Sequence, residues 1–299
     1  MSKKLFLILA LWFFVYSLAI SASAEKFTDR IRQNALDGAS SHSLTDQDVV
    51  IQDVIQNRAG DEFCNQNYFE GSMPKILTPR LKELSQHVCY PNYASYFSGL
   101  TRTPLWSANH LTKDRISIAC QLKQRDDPHP DPNLAPEARS EVADYLKSGF
   151  DFGHLVSSLD AASIEDQADV SSLVNVVPQD HANNIGVWLK LGNAARNLAL
   201  LGHDVFVVSG PFFDGNQIQQ INNRVIVPSG LFKAIFDAST HKASVYMTPN
   251  TSDQIYSVIS VKDASEKFGI DPFPSIPEYS RENKLDIMPP SPKTQCYSW

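Results

Sequence analysis

A short β-prone run and, further on, a second segment that leads into a long helix pattern constrain the fold of this 299-residue chain more than any other feature. The first run, Ser148-Gly149-Phe150-Asp151-Phe152-Gly153-His154-Leu155, places a histidine directly after a glycine at a strand end, so His154 is presented rather than buried in a periodic face. The second, Asn175-Val176-Val177-Pro178-Gln179, leads into Asn183-Asn184-Ile185-Gly186-Val187-Trp188-Leu189-Lys190-Leu191. Helix periodicity continues from there through Ala194, Ala195 and Leu198 and stops near Gly202. Positions 184, 188, 192 and 196 advance by four residues each, so Asn184, Trp188, Gly192 and Arg196 form one slowly winding stripe. Trp188 shares its apolar face with Leu191 and Leu198 and reads as core.

Around this segment the chain alternates short strand-like runs with turns: Tyr90 to Phe97, Thr103 to Leu111, Asp204 to Val208, Arg224 to Val227 and Tyr256 to Val261. Between the early and middle runs, Asp127-Pro128 and Asp131-Pro132 exclude regular structure from Gln124 to Pro136. With 18 Pro, a simple helical bundle is disfavoured; with 42% hydrophobic and 20% charged residues, the chain is globular. No internal repeat or linker divides it, which predicts one α+β domain with a mixed antiparallel sheet core and helices. A net charge of −7 excludes a histone-like protein that binds nucleic acid by bulk charge, leaving only a local basic site.

At the N-terminus, Lys3 and Lys4 precede an apolar run from Leu5 to Ile20, followed by small residues ending in Ala22-Ser23-Ala24, the pattern of a cleaved bacterial signal peptide over 1–24, with an uncleaved N-terminal anchor as the alternative. The chain is therefore expected to be exported, to the periplasm or beyond, and removal of the two lysines makes it more acidic. Residues 25–84 read as an N-terminal arm, partly helical or disordered, and 85–299 as the main body with a Pro/Ser-rich tail after Pro289. Cys64, Cys89, Cys120 and Cys296 all follow the leader, and an even number in an oxidising compartment predicts two disulfides. Any of three pairings is open, and the absence of CxxC spacing argues against zinc.

The central pattern resembles the DNA/RNA non-specific endonuclease family of ββα-metal (His-Me finger), sugar-nonspecific nucleases (endonuclease G-like). Asp151-Phe152-Gly153-His154 matches the family's DRGH, Asn175 to Gln179 its NxxPQ turn, and Asn184, Trp188, Gly192 and Arg196 its N-x-x-x-W-x-x-x-E-x-x-x-R helix. Tyr93 to Leu111, Val205 to Phe213 and Val225 to Phe236 are similar to the family's flanking strands. The resemblance implies a ββα-metal nuclease domain over 85–299, with DNA and RNA as substrates and 5′-phosphorylated products. It makes His154 the general base, Asn184 the one direct protein ligand to Mg²⁺ (or Mn²⁺), and Arg125 and Arg196 the phosphate-binding arginines.

Each residue also has a plainer role open to it. Asn184 suits a helix cap unless the cap falls earlier, at Asn183 or Asp180, Arg196 a solvated helix face, and Arg125 ion pairing with Asp126 and Asp127. Two departures from the family pattern stand out: Phe152 replaces an arginine, and Gly192 replaces the glutamate that supports the metal's water shell. Asp160, Glu165, Asp166 and Asp169 are candidate sources of a replacement carboxylate, His181 lies just ahead of the helix, and Lys190 is a poor stand-in on the wrong side of it. On this reading Gly192→Glu should raise activity or metal affinity. The competing function is a nuclease-like protein with weak or lost turnover that binds nucleic acid or a protein partner.

Overall fold

The computed structural model describes residues 62–123, 127–214 and 218–282. The expected signal peptide, most of the expected arm, Arg125, Cys296 and the Pro/Ser-rich tail lie outside the described residues. Among the described residues there are thirteen strands: β1 (Lys75–Ile76), β2 (Ser85–Tyr90), β3 (Tyr93–Ser98), β4 (Thr103–Leu111), β5 (Asp151–His154), β6 (Val176–Gln179), β7 (Val205–Phe212), β8 (Gln220–Ile221), β9 (Val225–Ile226), β10 (Gly230–Asp237), β11 (Lys242–Pro249), β12 (Ser257–Ile259) and β13 (Ile270–Asp271). Seven of them form one antiparallel sheet in the order β12-β11-β10-β7-β4-β3-β2. The helices that matter below are α1 (Lys113–Ala119), α2 (Leu189–Leu200) and α3 (Val261–Phe268), and among the described residues none is long and apolar enough to cross a membrane.

Successive side chains of a strand point to opposite faces, so the central strands feed two cores. Phe232, Ala234 and Phe236 of β10 pack with Trp106, Phe206 and Val245 on the face covered by Val261 and Ala264 of α3 and by Ile270 and Phe273. Leu231 and Ile235 point the other way, with Val205, Val207 and Tyr246, onto Trp188, Leu191, Ala194 and Ala195 of the α2 region. Burying each large apolar side chain contributes about 1.5–3 kcal/mol. The alternation also dictates that Lys233, between Leu231 and Ile235, faces α2 rather than solvent.

Residues 62–84, assigned to the arm on sequence grounds, pack onto the sheet in the structure. Cys64, Tyr68 and Ile76 are part of the first core, β1 pairs with β13, and Cys64 is disulfide-bonded to Cys89 of β2. Cys120 is disulfide-bonded as well.

The second structural unit is the antiparallel pair β5–β6, in register from Asp151↔Gln179 to His154↔Val176. The loop joining them is closed by Asn175, whose Oδ1 accepts from Val156 N (3.0 Å) and whose Nδ2 donates to Val156 O (2.8 Å) and Val170 O (3.0 Å). With all three partners buried, Asn175→Ala is expected to destabilise the protein by about 1–3 kcal/mol, measured by urea denaturation.

Candidate active site

A pocket of about 110 Å³ lies where β5, the chain that follows it, the helix and β10 meet, and its walls include His154, Asn184, Asp160, Gly192, Arg196 and Lys233. The stripe inferred from spacing is real: Asn184, Trp188, Gly192 and Arg196 all line it. The helix that carries them is not regular, however. After a short turn at His181–Asn183 the chain makes a π turn over Asn184–Trp188, broken at Gly186 (φ −101°, ψ −107°), before α2 begins. Gln254 Nε2 donates to Ala182 O at 2.7 Å beside this break. Local π turns of this kind recur at functional sites because they re-aim one turn of side chains.

The cap falls at Asp180, whose Oδ1 accepts from Asn183 N at 3.0 Å, so Asn184 is not the capping residue. Asn183 is buried and donates to Thr248 Oγ1 (2.9 Å) and Pro249 O (2.8 Å) of β11, while accepting from Gln179 Nε2 (2.7 Å). Gln179 thus ties β6 to the helix start. It also explains Gly153, since a Cβ there would lie 2.4 Å from both Cβ and Oε1 of Gln179.

His154 is half-buried at the end of β5, and its carbonyl accepts from Trp188 Nε1 at 2.9 Å. Trp188 is core, as its periodicity implied, and it also holds the strand. Asn184 donates from Nδ2 to Asp151 Oδ2 (3.1 Å), which turns the amide oxygen away from that carboxylate. The same Asp151 oxygen lies 2.9 Å from Nδ1 of His181, an exposed side chain outside the pocket wall.

Arg196 is neither solvated nor open. It is 1% exposed, with Nη1 on Asp160 Oδ1 (2.8 Å) and Nη2 on Asn193 Oδ1 (2.7 Å), and only its buried Nε lacks a protein partner. Asp160 also accepts from Asn109 Nδ2 of β4 at 3.2 Å. Of the four acidic residues considered as replacements for a helix glutamate, Asp160 alone lines the pocket, and Lys190 does not. Gly192 now has a physical reason: a Cβ there would meet Arg196 Nη2 at 3.0 Å and Nη1 at 3.4 Å. The guanidinium lies over the space a side chain at 192 would need. Phe152 stands outside the pocket wall and stacks on Tyr145 (centroids 4.4 Å apart, 23° between planes) in an apolar cluster with Val176 and Val225.

Lys233 was not anticipated as a site residue. Its Nζ donates to Ser209 Oγ (2.7 Å) and Leu155 O (3.3 Å) and sits 4.1 Å from the centroid of the Trp188 ring. Burial, opposed by the Asp160 carboxylate and reinforced by Arg196, pushes its ammonium down to about 7. The one signal in the sequence is a lysine in the middle of the apolar stretch Leu231–Phe236.

The donor set suits a hard cation that keeps most of its water: one amide oxygen from Asn184, with Asp160 on the same wall. Among the described residues no three His, Cys, Asp or Glu side chains converge as a closed metal cage would require.

Two expectations follow. Gly192→Glu must displace the buried Arg196 guanidinium, so in the otherwise unchanged chain it should destabilise by about 1–3 kcal/mol and fail to raise activity, whereas in an Asp160→Asn background it should recover part of what that change loses. Chemical denaturation and turnover of the four chains check this. Lys233 binds its proton less tightly folded than unfolded, so above its folded value the unfolded chain holds more protons and stability rises with pH. Relative to Lys233→Met, the native protein should therefore gain stability from about pH 7 to about pH 9.5, read from paired urea midpoints.

Comparison with known proteins places this geometry. Residues 75–278 match the DNA/RNA non-specific endonuclease family. The mitochondrial nuclease EXOG of Danio rerio is 32% identical over 208 residues, covering 62% of this chain and 60% of that protein. Human mitochondrial EXOG is 33% identical over 163 residues, covering 49% and 43%, and human mitochondrial endonuclease G is 28% identical over 199 residues, covering 60% and 64%. The chain thus spans between about two fifths and two thirds of the length of these relatives. A solved EndoG/EndoGI complex shares the fold, with a TM-score of 0.55 at 21% identity over 66% of this chain and 86% of that one. The antiparallel sheet, the β5–β6 pair with its helix, and a family match over more than half the sequence together make this chain a member of the DNA/RNA non-specific endonuclease family.

Proposed function

We propose that the protein is a divalent-metal-dependent endonuclease that hydrolyses phosphodiester bonds of DNA and RNA without sequence specificity and leaves 5′-phosphates. The observation that carries this reading is the convergence of His154, Asn184, Arg196 and Lys233 on one small pocket. His154 Nδ1 or Nε2 takes the proton of the attacking water. The Asn184 oxygen would hold Mg²⁺, or Mn²⁺, which when bound supplies positive charge against the scissile phosphate and the leaving oxygen. Arg196, through its unpartnered Nε, adds a positive potential for the phosphate. Arg125 is assigned to phosphate binding on the family resemblance. A few cations in one pocket of an acidic chain favour product release over tight retention.

Export to the periplasm or medium fits the leader pattern, and the disulfides support it, since such bonds persist in oxidising compartments. A second reading, a nuclease-like protein that binds without turnover, draws on Phe152 being stacked into the apolar cluster and on the capture of both Arg196 Nη groups by Asp160 and Asn193.

Digestion of supercoiled plasmid and of RNA by the mature chain with Mg²⁺ or Mn²⁺ separates the two. His154→Ala is expected to lose about 10²–10⁴-fold in rate, and the product ends should ligate without a kinase. Equal, negligible cleavage by both chains would leave only the binding function.

A further inference from the structure

The β5–β6 ladder ends at His154, so the next peptide groups need other partners. Trp188 Nε1 donates to His154 O at 2.9 Å, and Lys233 Nζ donates to Leu155 O at 3.3 Å. These two consecutive carbonyls are held by a helix residue and a sheet residue that touch one another, Nζ lying 4.1 Å from the indole centroid. Ser209 Oγ, directly across the β7–β10 pair from Lys233, fixes the ammonium from the other side at 2.7 Å.

We propose that Lys233 is a positioning residue for phosphodiester cleavage: with Trp188 it clamps the His154–Leu155 backbone between helix and sheet, setting where the His154 imidazole meets the pocket. The inference rests on the endonuclease reading above. Filling the sheet face alone does not call for a lysine, because Leu231 and Ile235 flank this position on an apolar surface. An ammonium withdrawn from water there is disfavoured unless its hydrogen bonds do something an apolar side chain cannot. What they do is fix two carbonyls that stand beside the proton acceptor, and displacing a reacting group by about 1 Å costs on the order of 100-fold in rate.

The test uses the mature chain, a defined duplex oligonucleotide and Mg²⁺, with Lys233→Met, Trp188→Phe and the double variant. Each single change is expected to lower kcat by about 10- to 100-fold with KM within about threefold of the parent. The double variant should be little worse than the poorer single one, because both donors hold the same backbone unit. Full kcat in Lys233→Met, a loss confined to KM, or strictly additive losses would each overturn the proposal. Should Lys233→Met not fold, Ser209→Ala, which removes one buried partner of Nζ, is expected to lower kcat of the folded chain at an unchanged KM, at a stability cost of its own that denaturation reads separately, and an unaltered kcat there would overturn it. If the parent chain itself cleaves nothing, it is the endonuclease reading that fails, and this inference falls with it.

Discussion

The buried ion pair of Arg196 and Asp160 joins three parts of the molecule at one point. Asp160 ends the turn that follows β5, Arg196 comes from α2, and Asn109 of β4 donates to the same carboxylate. Removing one partner of such a pair strands a charge away from water and typically costs about 3–5 kcal/mol, so helix, hairpin and sheet are held in mutual register by it. The pair also explains the glycine at 192. Once the guanidinium folds back across α2 to reach Asp160, a Cβ at 192 would crowd it at 3.0 Å, so a side chain there must push the guanidinium aside. The glycine at 192 and the Arg196–Asp160 pair are therefore linked, since the guanidinium occupies the space beside Gly192 on its way to Asp160.

Strands with strong β-branched and aromatic content were legible in the sequence, and Thr103–Leu111 emerges as β4 with its expected limits. β11 (Lys242–Pro249) was not anticipated, nor was β2 (Ser85–Tyr90), because Lys242, Ser244, Ser85, Gln86 and His87 dilute the apolar alternation. Those strands form through pairing with β10 and β3, a tertiary cause that a local pattern does not carry. The run Arg224 to Val227 emerges as the shorter β9, and the segment Val225 to Phe236, matched on the family's strands, divides into β9 and β10 with Pro228 between them.

The site was legible where spacing alone defines it. Four-residue steps place Asn184, Trp188, Gly192 and Arg196 on one wall even though a π turn interrupts the helix. What spacing does not contain is direction. Arg196 lies on the expected stripe yet turns inward to a partner thirty-six positions earlier, and Lys233 reaches the pocket only because the pleat of a distant strand points it there. Contacts that cross between elements far apart in sequence are fixed by packing, and no periodicity within either element announces them.

The Cys64–Cys89 disulfide has a consequence for how the last strand of the sheet is held. β2, which carries Cys89, is the last strand of the seven-stranded sheet on that side. A terminal strand offers unpaired backbone donors and acceptors that can template the growth of intermolecular sheet. The covalent bond staples Glu62–Asn67 onto the sheet face over β3 and β4, and closing a loop of this length restrains the unfolded chain by on the order of 3 kcal/mol. Gln66 Nε2 donates to Pro91 O (2.6 Å) and Asn67 Nδ2 to Tyr90 O (3.3 Å), satisfying acceptors at the end of that strand. The cystine thus ties the turn that covers one apolar face of the sheet to the sheet's terminal strand, so that neither can leave the fold without the other.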